Sequence, residues 1–163
     1  MDRVQHPGAS APQRPHSILV VDDERDVAEA LQGLLETSLA QQAQIRVAMS
    51  AEDASKALRE QHFDLVVCDF KLPGRTGVEF LRETRERSPA TRRILMTAYA
   101  DLTVAVEAIN EAAVDSFIQK PFEPEEVVAK VEGLLDEKRA RELREQAFAR
   151  ALEALRRRVE QSA

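Results

Sequence analysis

From Ser17 onward, short apolar runs alternate with stretches whose apolar residues recur at helical spacing. That alternation restricts the chain to βαβ units wound on a parallel sheet, an α/β fold. The runs are residues 17–21 (SILVV), 45–48 (IRVA), 64–68 (DLVVC), 93–97 (RILMT) and 116–119 (SFIQ). Their near-continuous hydrophobicity fits strands covered on both faces, so five strands are expected. Between them, residues 25–40 place Val27, Leu31, Leu34 and Leu35 on one helical face. Residues 52–60 do the same with Ala54, Ala57 and Leu58, and residues 77–87 with Val78, Phe80 and Leu81. Residues 102–112 do so with Val104, Ala105, Ala108 and Ile109.

With aromatics at only 4% and no Trp, the core must be built from aliphatic side chains. The net charge of -6 argues against a general nucleic-acid surface. Cys68 is the one cysteine, so no internal disulfide forms, which suits a reducing compartment; it reads as a small buried hydrophobe. No apolar run approaches the ~20 residues that a membrane helix needs, and the first residues lack the apolar centre of a signal peptide. A soluble, cytoplasmic chain with no membrane partner is expected. Residues 1–16, rich in proline and without period, read as a disordered tail in which His6 and His16 are bystanders.

After Pro121 the texture changes. Glu123 to Glu126 make an acidic helix start with Pro124 in the first turn, and strong helix formers run on to about Glu160. A helix of about 36 residues is roughly 54 Å long and outruns a domain of this size. Val127, Val131 and Leu134 begin an apolar seam that Phe148, Leu152, Leu155 and Val159 resume at heptad spacing, with Lys138, Arg141 and Glu145 between. The expectation is a homodimer joined by a parallel coiled coil over residues 148–159; a lone helix or a linker is the alternative. Residues 136–163 are read as this extension. Arg156, Arg157 and Arg158 read as a solvated helix face, so direct nucleic-acid binding is not expected.

The chemistry gathers at the carboxyl ends of the expected strands, where ligands bind in parallel sheets. Asp22 and Asp23 end the first strand and Asp69 the third. Capping of the following helix is the plain reading of the first pair. Three clustered carboxylates repel one another, however, and make sense around a hard divalent cation. Mg²⁺ fits better than Ca²⁺, which needs more oxygens. Thr97 and Lys120 end two further strands. A hydroxyl, an ammonium and a metal around one carboxylate suit a phosphoryl group in transfer, with Asp69 as nucleophile. Pro73 and Gly74 shape the following loop, and Gly77 permits a close approach.

The set VVDDE, CDFKLPGRTG, MTAYA and FIQKPF, in this order, resembles bacterial response-regulator receiver domains over residues 17–135. The resemblance implies a doubly wound, CheY-like sheet of strand order 2-1-3-4-5. It implies Asp69 as phosphoacceptor, Asp23 as direct magnesium ligand, Asp22 acting through water and the Lys71 carbonyl as the third protein ligand. Thr97 becomes the switch hydroxyl, Lys120 the phosphate-binding lysine and Phe117 the rotating aromatic. Lys71 and Tyr99 flank the path of attacking water and tune phosphate lifetime. Ala113 departs from the family, which has a glycine in a left-handed cap there. The segment YADLTVAVEAINEA is nearest in character to receivers of NtrC-type regulators and cyclic-dinucleotide phosphodiesterases. The implied partner is a sensor histidine kinase or histidine phosphotransfer protein, and no turnover beyond self-phosphotransfer and autodephosphorylation is expected. Two alternatives stand beside this: a phosphatase of the haloacid dehalogenase type, disfavoured because Lys71 stands where the second carboxylate belongs, and a receiver-like module that works without phosphorylation.

Overall fold

The computed structural model describes residues 14–98 and 102–162. Of the expected tail at 1–16, residues 1–13, with His6, lie outside them, as does Tyr99, whereas His16 is not tail but begins the first strand. Five parallel strands form one sheet: β1 (His16–Val21), β2 (Ala43–Ala48), β3 (Leu65–Asp69), β4 (Arg92–Thr97) and β5 (Ser116–Gln119). Their spatial order is β2-β1-β3-β4-β5, as the resemblance implies. The helices are α1 (Arg25–Leu39), α2 (Ala51–Glu60), α3 (Gly77–Arg87), α4 (Leu102–Ala112) and α5 (Pro124–Ser162).

Successive strand residues point to opposite faces and so feed two separate cores. Ile18, Val20, Leu65, Val67, Ile94, Met96 and Ile118 pack with Leu31 and Leu35 of α1 and Val127, Val131 and Leu135 of α5. Leu19, Val21, Val66, Cys68 and Leu95 pack with α2, α3 and Ala108 of α4 on the other face. Cys68 is fully buried, as expected of a small hydrophobe.

Three details differ from the periodicity. Ile109 is 54% exposed, because α4 turns only a narrow stripe, Ala108 and Ala112, to the core. Ala113 keeps the left-handed backbone, at φ 46°, without glycine; its carbonyl accepts the Arg93 Nε–H at 3.2 Å, which helps hold that turn. Lys138, an interruption of the seam by sequence, is buried at 5% exposure and donates to Asp64 at 3.1 Å. The Asp64 carboxylate also accepts both Arg14 guanidinium nitrogens, at 2.9 and 3.0 Å, and the Ser17 amide at 2.8 Å. Arg14, at the edge of the expected tail, and the fourth turn of α5 are therefore tied to the start of β3. From Leu143 to Ser162 every residue of α5 is exposed.

Candidate functional site

In the sheet β1, β3, β4 and β5 are successive parallel neighbours, so the residues that follow their carboxyl ends come together at one edge. Asp22 follows β1 directly; its amide donates to the Ala48 carbonyl at 3.2 Å, and it is fully buried. Asp69 closes β3 at 5% exposure, and Phe70 carries the ladder one bond further by donating to the Met96 carbonyl at 2.8 Å. Lys120 follows β5, its amide donating to the Thr97 carbonyl at 2.8 Å, and the Lys120–Pro121 bond is cis.

Lys120 binds the two acids together. Its Nζ lies 2.7 Å from Asp22 Oδ2, 3.3 Å from Asp69 Oδ1 and 3.8 Å from Glu24 Oε1. Asp69 is nonetheless pushed up to about 6, first by burial and then by the charge of Asp22, against the pull of Lys120. Lys120 is raised in spite of its own burial, because both carboxylates favour the ammonium. The site is thus short of positive charge around Asp69.

The donor set fits a hard cation. Oxygens of Asp22, Glu24 and Asp69 lie within 4.8 Å of one another, the carboxylate chemistry that Mg²⁺ uses. The structure adds Glu24 to this group, which the sequence reading did not name, while Asp23, which it did name, lies outside it. Asp23 is exposed at the rim, and its charge still raises Asp69. Glu24 went unread because it looked like the first charge of α1; it is that helix's N-cap residue but makes no side-chain cap bond. Asp22 accepts the Glu24 amide at 2.9 Å, so its carboxylate organises this turn while facing Lys120.

A cavity of about 260 Å³ opens over Asp69, lined by Glu24, Phe70, Lys71, Thr97, Ala98, Val104 and Lys120. It brings together four residues singled out from sequence: Asp69, Lys71, Thr97 and Lys120. Phe117 lies apart from its lining, partly buried against the core that holds Leu95 and Ala108, and its carbonyl accepts from Lys130.

The loop after Asp69 is bolted at both ends. A Cβ on Gly77 would meet the Asp69 carbonyl oxygen at 2.1 Å, and Gly74 sits at φ 81°, so both positions require glycine. The Gly77 amide donates to the Phe70 carbonyl at 2.8 Å, and Thr76 and Glu79 form a reciprocal capping box that starts α3. Arg75, unremarked in the sequence, reaches Glu83 of α3 at 2.8 Å and Ser55 of α2 at 3.1 Å. It fastens the Lys71 loop to two helices.

The family model described as response regulator receiver domain matches residues 18–132. The hydrogenase transcriptional regulatory protein HoxA of Cupriavidus necator is 36% identical over 112 residues, 69% of this chain and 22% of that protein. ZraR of Escherichia coli is 36% identical over 118 residues, 72% of this chain and 26% of its own length. ResD of Bacillus subtilis is 37% identical over 118 residues, 72% of this chain and 47% of that protein. The chain therefore spans less than half of these curated relatives. Among solved structures, the signal receiver domain of an HD domain-containing protein from Pseudomonas fluorescens superposes with a TM-score of 0.77 at 27% identity. That match covers 85% of this chain and 99% of the other. The BeF3-activated DrrB receiver domain gives 0.66 at 30% identity, covering 75% and 98%.

Proposed function

Because this chain belongs to the response regulator receiver domain family, we propose that it takes a phosphoryl group onto Asp69 from a histidine kinase or histidine phosphotransfer protein and relays the change to a partner or output domain. The observation that carries this reading is the Lys120 ammonium lying between two buried carboxylates at the strand ends.

Asp69 is the nucleophile, ionised near neutral pH since it titrates near 6. An Oδ lone pair forms the new O–P bond as the P–N bond of the donor's phosphohistidine breaks, and the imidazole departs with that electron pair. Asp22, Asp23 and Asp69, with the Lys71 carbonyl, are the proposed magnesium ligands, and the fold adds Glu24. When bound, Mg²⁺ neutralises phosphoryl charge. Lys120, freed from Asp22, takes a phosphoryl oxygen. Thr97 and Lys71 border the cavity in which that group would sit, and Thr97 with Phe117 carries the change outward. Lys71, exposed at the mouth, tunes hydrolysis with Tyr99. The extension supplies a second role, pairing two copies through the apolar residues of α5.

No helix among the described residues is long and apolar enough to cross a membrane. A cytoplasmic location is part of the proposal. Arg156 and Arg157 are paired with Glu160 and Glu153 on the helix itself, which supports a solvated face over a nucleic-acid contact.

The test is incubation with Mg²⁺ and acetyl phosphate. One acid-stable, hydroxylamine-labile phosphate per chain is expected, absent in Asp69→Asn. Equal labelling of that variant would overturn the assignment, and steady turnover of small phosphoesters would favour a phosphatase instead.

A further inference from the structure

Phe148, Leu152, Leu155 and Val159 are 66%, 51%, 57% and 71% exposed, the most prominent run of uncovered apolar side chains in the described structure. In place of the parallel coiled coil expected from the sequence, we propose that residues 143–162 bind the same segment of a second copy in antiparallel fashion, stacking Phe148 on the second copy's Val159 and Leu152 on its Leu155. The inference rests on the second-copy reading above and not on phosphotransfer.

Three observations choose the occupant and its direction. First, the apolar positions are spaced 4, 3 and 4, so the stripe reads the same from either end and is complementary to its own reverse, as a two-fold axis perpendicular to the helices requires. Second, the seam does not continue toward the domain as a zipper. Lys138 is already committed to Asp64 and Glu142 of its own chain, and Arg141 to Glu145. A parallel pair would stack Glu145 on Glu145 and Arg141 on Arg141 next to the apolar block, which like charges at facing positions oppose. Reversed, Glu145 faces Ser162 instead, and all four apolar layers meet apolar partners. Third, the flanks accept a copy of themselves. Ala149 and Ala151 then face Arg156 and Arg158 of the second copy, whose aliphatic stems cover the methyl groups while their charged heads reach water.

Four side chains at roughly 100 Å² each, doubled and widened by these flanks, approach the ~1,200 Å² at the lower edge of specific interfaces. The dimer is therefore reversible and concentration-dependent. Its two receiver bodies sit at opposite ends of the shared helical segment, with their phosphorylation clefts far apart.

The experiment uses the whole chain. Sedimentation across about 1–200 μM covers the affinity range that such an area supports. Nitroxide labels at Gln146→Cys and Gln161→Cys then report direction, since Cys68 is buried and escapes labelling. Antiparallel pairing brings position 146 of one copy level with 161 of the other. It offsets the two 146 labels by about 22 Å along the axis, fifteen residues at 1.5 Å. The expected results are a short 146-to-161 separation, a long 146-to-146 one, and about 100-fold weaker association in Leu152→Glu with the receiver's melting unchanged. A monomer at every concentration would overturn both this inference and the second-copy reading. A dimer whose 146 labels lie close together would leave that reading standing and overturn this one, and a Leu152→Glu variant that still dimerises would place the contact elsewhere.

Discussion

Asp64 immediately precedes β3 and Asp69 ends it, so one strand carries a nearly buried carboxylate at each pole, and the two are treated in opposite ways. Arg14, Lys138 and the Ser17 amide all donate to Asp64, and these bonds outweigh its burial and hold it well below the usual carboxylate range. Asp69 has a share of one lysine, faces Asp22 and is pushed up to about 6. The first arrangement has its charge fully answered and acts as a fastener. The second leaves charge unanswered, which is what the proposed role of taking up a cation and a phosphoryl group requires.

The sharpest way to break this contrast is to remove the fastener. Asp64→Ala leaves the buried Lys138 ammonium with only the half-exposed Glu142 carboxylate, so a loss of about 2–3 kcal/mol is expected, read from the urea midpoint. An effect under about 1 kcal/mol would mean that the pole is not held by charge.

The opposite sign is expected at the other pole. In metal-free buffer at pH 7, Asp69→Asn should stabilise the protein by about 1–2 kcal/mol, because it removes an ion that the fold disfavours. The sign follows from the direction of the shift. A carboxyl raised from 3.8 to about 6 penalises the folded state fully above pH 6, and the penalty fades as pH falls toward 3.8. The gap between wild type and variant should therefore close between pH 7 and 4. Asp64, lowered, contributes stability that persists down to about pH 4 and is lost only as pH falls further. Saturating Mg²⁺ should abolish or invert the Asp69→Asn advantage.

Much of this was readable in advance because it is local. The near-continuous apolar runs of β1, β3 and β4, the helical faces of α1 to α3 and the strand-end positions of Asp22, Asp69, Thr97 and Lys120 follow from neighbours in the chain. What escaped was long-range pairing. Lys138 looked like a defect in a heptad because Asp64, its partner, lies 74 residues away. Arg14 looked like tail for the same reason. Glu24 was hidden behind two aspartates, and Arg75 inside turn chemistry. Ile109 was misjudged because α4 borders the core along a stripe narrower than its apolar pattern.

Arg75 gives a smaller test. Arg75→Ala should lower Mg²⁺ affinity several-fold by calorimetry, about 1 kcal/mol, as the Lys71 loop loosens. Arg75→Lys should recover part of it, and an unchanged affinity would relegate Arg75 to surface packing. Smallest of all, Ala113→Gly should stabilise by about 0.4–1 kcal/mol in thermal melts, since glycine relieves the φ of 46°.

The contrast between the poles is tested most directly by carboxyl-carbon NMR titration of the full chain without metal, following Asp64 and Asp69 together. The account predicts that Asp69 titrates near 6 and falls sharply when Mg²⁺ is added, while Asp64 stays ionised to below pH 3 with or without it. Two ordinary titrations near pH 4, indifferent to Mg²⁺, would contradict it.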